Sequence, residues 1–259
     1  MRSRSAGAVM MQRQPTRPGA AKRLWVAAFT LVLAGAAVTV PGAGAPAATS
    51  SPVDRLVSAE PPLHQYRALR RMHAASERFD HEGWMDAWTE LDSSGFRYEI
   101  VAERGSNTVR NKVLRTLLKR EQELIANGDF GRGDLTADNY EFGEETSGPD
   151  GRYIPIKPKR KDSMLLEGRM VLSSEGELLR VEGLLAKSPS FWTSQVEVTR
   201  RYARVDGVRV PIAVESIAKV KFAGRSRLNV EYEYESVNGR PVRTAGLPAV
   251  AGMSRPSSR

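Results

Sequence analysis

The chain has 259 residues, of which 41% are hydrophobic, and this is enough for a globular domain with a substantial core. Its net charge is +9, but residues 1–48 hold six basic and no acidic residues, which leaves 33 basic against 30 acidic residues elsewhere. A near-neutral body argues against binding to nucleic acid, and the absence of cysteine excludes disulfides, cysteine–zinc sites and thiol catalysis.

Residues 1–47 have the pattern of a secretory signal peptide. A basic segment ends at Arg23, an apolar run covers 24–40, and small residues follow with an Ala45-Pro46-Ala47 cleavage pattern. We therefore expect export, with a mature chain that begins at Ala48 and is soluble in the periplasm or another extracytoplasmic space. The alternative is an uncleaved membrane anchor, because the apolar run is at the short limit for a membrane-spanning helix. Without a cysteine after the signal, the chain cannot carry the lipid anchor of a bacterial lipoprotein.

Residues 48–60 are predicted to be a linker, and residues 61–240 a folded domain. Apolar residues recur at helical spacing after Pro61-Pro62, which predicts a first helix over 61–79. Two β-prone runs around the turn sequence DSSG then predict a hairpin over 84–103. A second amphipathic helix is predicted over 106–128, with Ser106, Asn107 or Thr108 at its start and a glycine at its end.

The segment 129–152 is rich in glycine and acidic residues and is predicted to be a long loop. A calcium-binding loop is the alternative, but the spacing of its aspartates does not fit the calcium-loop pattern. From residue 153 at least five consecutive strands follow with short turns, including Asp206-Gly207 and Asn238-Gly239, which predicts an antiparallel meander. Residues 241–259 are predicted to be a disordered tail.

Alternation along the last strands separates an apolar face from a charged face. Val210 and Val230 belong to the apolar face, while Glu231 and Glu233 belong to the charged one. Because an apolar face needs a cover, we expect the two helices to lie across it.

The sequence contains no recognisable catalytic or metal-binding constellation, and we expect a protein that is not an enzyme and has no cofactor. The sequence has three histidines, but no further ligand accompanies them at the spacing of a metal-binding motif. No nucleophile motif is present either. A dense basic patch is formed by Lys157, Lys159, Arg160 and Lys161. This patch would suit an acidic partner or anionic lipid head groups, and a solvated loop is the alternative.

The order of elements and two short motifs resemble the outer-membrane lipoprotein carrier and receptor superfamily, with the LolA/LolB-like fold that RseB-like sensor domains share. The motifs are Tyr153, Ile154, Ile156, Pro158 and Lys159, followed by Glu175-Gly176-Glu177-Leu178. The resemblance implies an α+β fold in which a strongly curved antiparallel sheet, an incomplete barrel, has helices across its concave face. It also implies a cavity for acyl chains and a role as carrier or sensor rather than enzyme.

The hypothesis that follows is a binding protein for a lipid, a lipoprotein acyl chain or another hydrophobic ligand. The predicted cavity-lining residues are Trp192, Val196, Val198, Tyr202, Val210, Ile212, Val230, Tyr232 and Tyr234. The alternative is a sensor or scaffold with a packed core that acts through an envelope protein partner or at a membrane surface. At the corner formed by Phe191 and Trp192, strand parity places Trp192 inward and Phe191 outward. The aromatic corner would either close the end of the core as a plug or form the rim of a cavity.

Overall fold

The computed structural model describes residues 61–78, 81–149, 151–191, 193–221 and 224–242. The signal segment, the 48–60 linker, Trp192 and nearly all of the tail lie outside them. The strands are β1 (Tyr66–Ser76), β2 (His81–Asp92), β3 (Gly95–Gly105), β4 (Tyr140–Phe142), β5 (Thr146–Gly148), β6 (Gly151–Pro158), β7 (Leu166–Leu172), β8 (Leu178–Leu185), β9 (Thr193–Val205), β10 (Val208–Val220), β11 (Gly224–Val237) and β12 (Arg240–Pro241). One helix, α1, consists of Asn107–Val109, a wider π turn at Arg110–Leu114, and Arg115–Ala126. A 3-10 turn follows at Phe130–Gly133.

The strands form one antiparallel sheet in the order β3-β2-β1-β11-β10-β9-β8-β7-β6-β4, with β12 beside β11 and β5 beside β6. β1 pairs with β11 along its whole length, so the first hairpin continues the C-terminal meander. In the described residues β3 and β4 are two separate edges of the path. The predicted α+β architecture, an incomplete antiparallel barrel, is therefore confirmed.

The predicted first helix is wrong, because residues 66–76 form strand β1. Burial along β1 alternates strictly, with Tyr66, Ala68, Arg70, Met72 and Ala74 on the inner side. The apolar residues that suggested helical spacing belong to both faces of this strand, and one inward position is an arginine. A charged inward residue hides the two-residue period, so the sequence pattern favoured the wrong element. Consequently one helix, rather than two, covers the sheet in the described part of the chain.

The predicted second helix is confirmed as α1. The Ser106 side chain caps its start by accepting a hydrogen bond from the Val109 N–H. The apolar stripe of α1 is buried against the sheet. A Cβ added at Gly83 of β2 would lie 3.1 Å from Val109 Cβ, so a glycine lets the helix approach this strand closely. Helix α1 therefore packs over β1, β2 and β3.

The hairpin predictions and the strand parity are also confirmed. At the β9–β10 turn φ is 48° at Asp206 and 83° at Gly207, the positive values that this type of hairpin requires. Leu228, Val230, Tyr232 and Tyr234 of β11 are buried, and their neighbours are more exposed. The predicted 129–152 loop, in contrast, contains the 3-10 turn and the short strands β4 and β5.

Candidate functional site

The inner face of the sheet presents a row of buried side chains that is apolar except at one position. Strand register aligns Met85, Met72, Val230, Val214, Arg200, Val181, Met170 and Ile154 from β2 to β6. All eight are buried. A guanidinium group therefore lies in the middle of the apolar interior.

Arg200 is unusual because it is buried and two of its side-chain nitrogens have no hydrogen-bond acceptor among the described residues. Its relative exposure is 6%, and its Nε and Nη2 have no hydrogen-bond partner in the described residues. Asp134, in the segment after α1, also has a buried oxygen, Oδ1, without a partner there. Burial raises the pKa of Asp134 to about 7, and the positive charge of Arg200 acts in the opposite direction. The two groups are thus close enough to interact electrostatically inside the fold.

Three tyrosines extend this interior toward β1 and β11. The Tyr232 and Tyr234 rings stack at 6.0 Å, and Tyr66 meets Tyr234 edge to face at 5.9 Å. Tyr234 donates its hydroxyl hydrogen to the Pro211 carbonyl, whereas the buried hydroxyl of Tyr232 has no partner among the described residues. Burial is the main cause that raises the pKa of Tyr232 above its ordinary value. The interior thus combines a large aromatic surface with several buried polar atoms that have no hydrogen-bond partner among the described residues.

A buried ion pair joins α1 to the sheet. Arg70 of β1 and Glu121 of α1 are 1% and 3% exposed. Arg70 Nη1 and Nη2 donate to the two carboxylate oxygens of Glu121 at 2.5 and 2.9 Å, and Nη2 also donates to the Tyr66 hydroxyl at 2.6 Å. The guanidinium lies 4.8 Å from the ring centre of Tyr232 and 5.2 Å from that of Phe96. This arrangement fixes the helix over β1 by a bidentate, aromatic-lined contact.

The structure brings most of the predicted lining residues to the inner face of the sheet. Val196, Val198, Val210, Val230, Tyr232 and Tyr234 are buried in the main core cluster, and Tyr202 and Ile212 are partly buried against it. Trp192 lies outside the described residues, and the ligand-binding role of this set stays a prediction. Because most of these side chains are almost completely buried, protein atoms fill the described interior at their positions.

Sequence reasoning missed the polar residues of the interior. Arg200 has the same strand parity as Val196 and Val198, so the alternation that identified those valines also indicated an inward arginine. Arg70 was hidden by the wrong helix prediction, and Glu121 lies on the buried stripe of α1 among leucines. No sequence signal marked Asp134.

The corner before β9 is exposed at Phe191. The Phe191 side chain is 78% exposed, and the Lys221 ammonium lies 4.5 Å from its ring centre. Strand β9 begins at Thr193, and its register with β10 shifts between Gln195 and Thr193, so the parity counted from Val196 and Val198 does not extend to Phe191. Trp192 lies outside the described residues, and its role as plug or rim of a cavity stays a prediction.

The basic patch is exposed at all four predicted positions, Lys157, Lys159, Arg160 and Lys161. Arg160 donates hydrogen bonds to Asn139 Oδ1 at 2.6 Å and to the Arg132 carbonyl at 2.9 Å. It therefore also connects the patch to the segment that follows α1. Within the described ranges, no group of three acidic or histidine side chains is placed to hold a metal ion. None of the described helices is long and apolar enough to cross a membrane.

No known family model matches the chain, and no curated protein matches it. Among solved structures, it is similar to a LolA superfamily protein from Nitrosomonas europaea, with 14% identity and a TM-score of 0.38 over 76% of this chain and 92% of that one. It is also similar to a DUF1329 family protein from Desulfovibrio piger, with 10% identity and a TM-score of 0.36 over the same shares. At these values neither likeness says anything about a ligand.

Proposed function

We propose that this protein is an exported, non-enzymatic binding protein that holds a lipid, an acyl chain or another hydrophobic ligand against the concave face of its sheet. The observation that carries the proposal is the inner face itself. It combines a continuous apolar and aromatic surface with a few buried polar atoms, which is the composition of small-molecule binding sites. The apparent signal peptide supports a location in the bacterial envelope.

Two elements outside the long strands contribute to the interior in the described conformation. Helix α1 lies over β1 to β3 and is joined to them by the Arg70–Glu121 pair and by a hydrogen bond from Gln122 Nε2 to the Phe96 carbonyl. The segment between α1 and β4 contributes Leu135, which packs against the core cluster, and the buried Asp134. Most of the predicted lining residues are buried, so a ligand can reach them only if protein groups that now cover them are displaced.

The same burial favours a second candidate function. The side chains at four of the predicted lining positions are almost completely buried, as expected for a packed core. These positions are Val196, Val198, Val210 and Val230. A packed core would suit an envelope sensor or scaffold that acts through a protein partner or at a membrane surface, with the exposed basic patch as one contact. The two candidates differ in whether the interior takes up a ligand.

Binding of a fluorescent fatty-acyl probe to the chain from Ala48 onward tests the proposal. Ser216 points inward, in register with Val198, and its neighbour Glu215 points outward. We expect Ser216→Leu to fill interior space and weaken probe binding at least ~10-fold, and the matched outward variant Glu215→Leu to bind as the unmodified protein does. Native mass spectrometry of protein from its own envelope should also show a co-purified lipid. Absence of both probe binding and lipid would favour the packed sensor or scaffold.

A further inference from the structure

Resting on the proposed function, we propose that Arg200 binds the anionic head group, a carboxylate or a phosphate monoester, of an amphiphilic ligand whose apolar part lies along the inner face of the sheet. A guanidinium group presents planar, paired N–H donors that match the oxygens of such groups. The inference adds a head-group subsite and a ligand charge to the proposed hydrophobic binding.

The first argument is the buried, unpartnered state of Arg200. Charged side chains are seldom buried unless they are paired, because removing a charge from water is costly. Arg200 is 6% exposed, and two of its three nitrogens are fully buried without a hydrogen-bond acceptor among the described residues. The site therefore lacks an acceptor that an anionic group would supply.

Among the described residues, the strands beside Arg200 supply no such acceptor. Its cross-strand partners are Val181 on β8 and Val214 on β10. Asp134 is the acidic group whose pKa responds to Arg200, but no ion pair joins the two in the described structure. A ligand that reaches Arg200 therefore lies on valine and methionine side chains, which suit an alkyl chain.

Arg70 shows by contrast how this fold stabilises a buried arginine when the role is structural. Both of its Nη atoms donate to Glu121, and one also donates to Tyr66. Arg200 lies on the same face of the sheet, three strands away, and the described part of the chain gives its Nε and Nη2 no hydrogen-bond partner. The difference points to a binding role for Arg200 rather than a structural one.

A binding role and a structural role predict opposite effects of substitution. If the role of Arg200 is to bind an anion, Arg200→Met removes a buried charge that is uncompensated in the ligand-free protein. The substitution should then raise the melting temperature of the ligand-free protein and weaken binding of the anionic ligand. A structural arginine would give a lower melting temperature in the same variant. Arg201, its neighbour, provides the matched control, because it pairs with Glu215 at 2.9 Å and is more exposed.

The test compares hexadecanoate with its uncharged methyl ester, by calorimetry, on the unmodified protein and on Arg200→Met, Arg200→Lys and Arg201→Met. We expect the unmodified protein and Arg201→Met to bind hexadecanoate at least ~10-fold more tightly than the ester. Arg200→Met should bind both equally, at the affinity of the ester, and Arg200→Lys should retain part of the preference.

The outcomes separate the inference from the function on which it rests. Equal binding of acid and ester by the unmodified protein, or a preference that survives in Arg200→Met, would overturn the anionic subsite and leave hydrophobic binding standing. Failure to bind either ligand would overturn the proposed function and the subsite with it. Acetate and inorganic phosphate serve as free anions. If they bind at Arg200 as tightly as hexadecanoate does, the site is one for a free anion, and the amphiphile is excluded.

Discussion

Arg70 and Glu121 form a bidentate ion pair in the interior, although 51 positions separate them in the chain. The pair connects the innermost strand of the N-terminal hairpin to the only described helix, and Tyr66 and two further aromatic rings surround it. Because both charges are removed from water, each depends on the other.

We therefore expect Glu121→Gln to lower the free energy of unfolding by ~3–5 kcal/mol, since Arg70 would remain buried with its charge uncompensated. Urea unfolding followed by tryptophan fluorescence measures this change. The double variant Arg70→Met/Glu121→Leu should recover most of the loss, because it removes both charges and retains apolar volume. A double variant no more stable than Glu121→Gln would contradict this account.

The parity of β11 predicts opposite tolerance at two adjacent positions. Val230→Asp would bury a carboxylate among Met72 and Val214, so we expect severe destabilisation or failure to fold. Glu231→Lys changes a half-exposed outer side chain and should alter the free energy of unfolding by no more than ~1 kcal/mol. Circular dichroism and thermal melting of both variants check the expectation. Equal damage at the two positions would show that the assigned register is wrong.

Asp134 should make stability fall as the pH rises toward neutrality. Its folded-state pKa is about 7 against an ordinary 3.8, so its stabilising contribution is complete below the ordinary value and is lost as the pH rises through about 7. Asp134→Asn cannot ionise and should be more stable than the unmodified protein at pH 8, by up to ~4 kcal/mol for a shift of this size.

Urea titrations at several pH values between 4 and 8 measure the difference between the two proteins, which should shrink toward zero at pH 4. Asp138 is exposed on the same segment, so Asp138→Asn is the matched control and should follow the unmodified protein. A difference for Asp134→Asn that is constant across this range would show that Asp134 is already ionised in the folded protein.

The corner before β9 predicts unequal effects of removing two neighbouring aromatic rings. Phe191 is 78% exposed, so Phe191→Ala should change the melting temperature by no more than about one degree relative to the unmodified protein. It should leave binding of the fatty-acyl probe unchanged. Trp192→Ala is expected to act on the interior. It should weaken binding of a fatty-acyl probe if the ring lines the cavity mouth, or cost ~3–5 kcal/mol of stability if the ring is a plug. Loss of binding in Phe191→Ala alone would reverse the inward and outward assignment.

Local patterns in the sequence determined a large part of the fold. Two-residue alternation identified the inner faces of β10 and β11, because a strand with one face in the core must place apolar residues at every second position. The Asp206-Gly207 pair marked its turn, because these residues tolerate positive φ. The stripe of leucines, the serine cap and Gly128 identified α1. Each of these signals arises within a few consecutive residues.

Tertiary structure alone decided the features that depend on distant residues. Strand β1 has an arginine at an inward position. Glu121 of α1, which is distant in the chain, compensates its charge, so the local pattern resembled a helix. The pairing of β1 with β11 joins the two ends of the domain, and no local signal specifies it. Arg200 had the parity of the core in the sequence. Its lack of a hydrogen-bond acceptor among the described residues and its interaction with Asp134 are properties of the folded interior. Burial without a partner is defined by every neighbour in space, so the chemistry of this candidate site appears only when the sheet has curved around it.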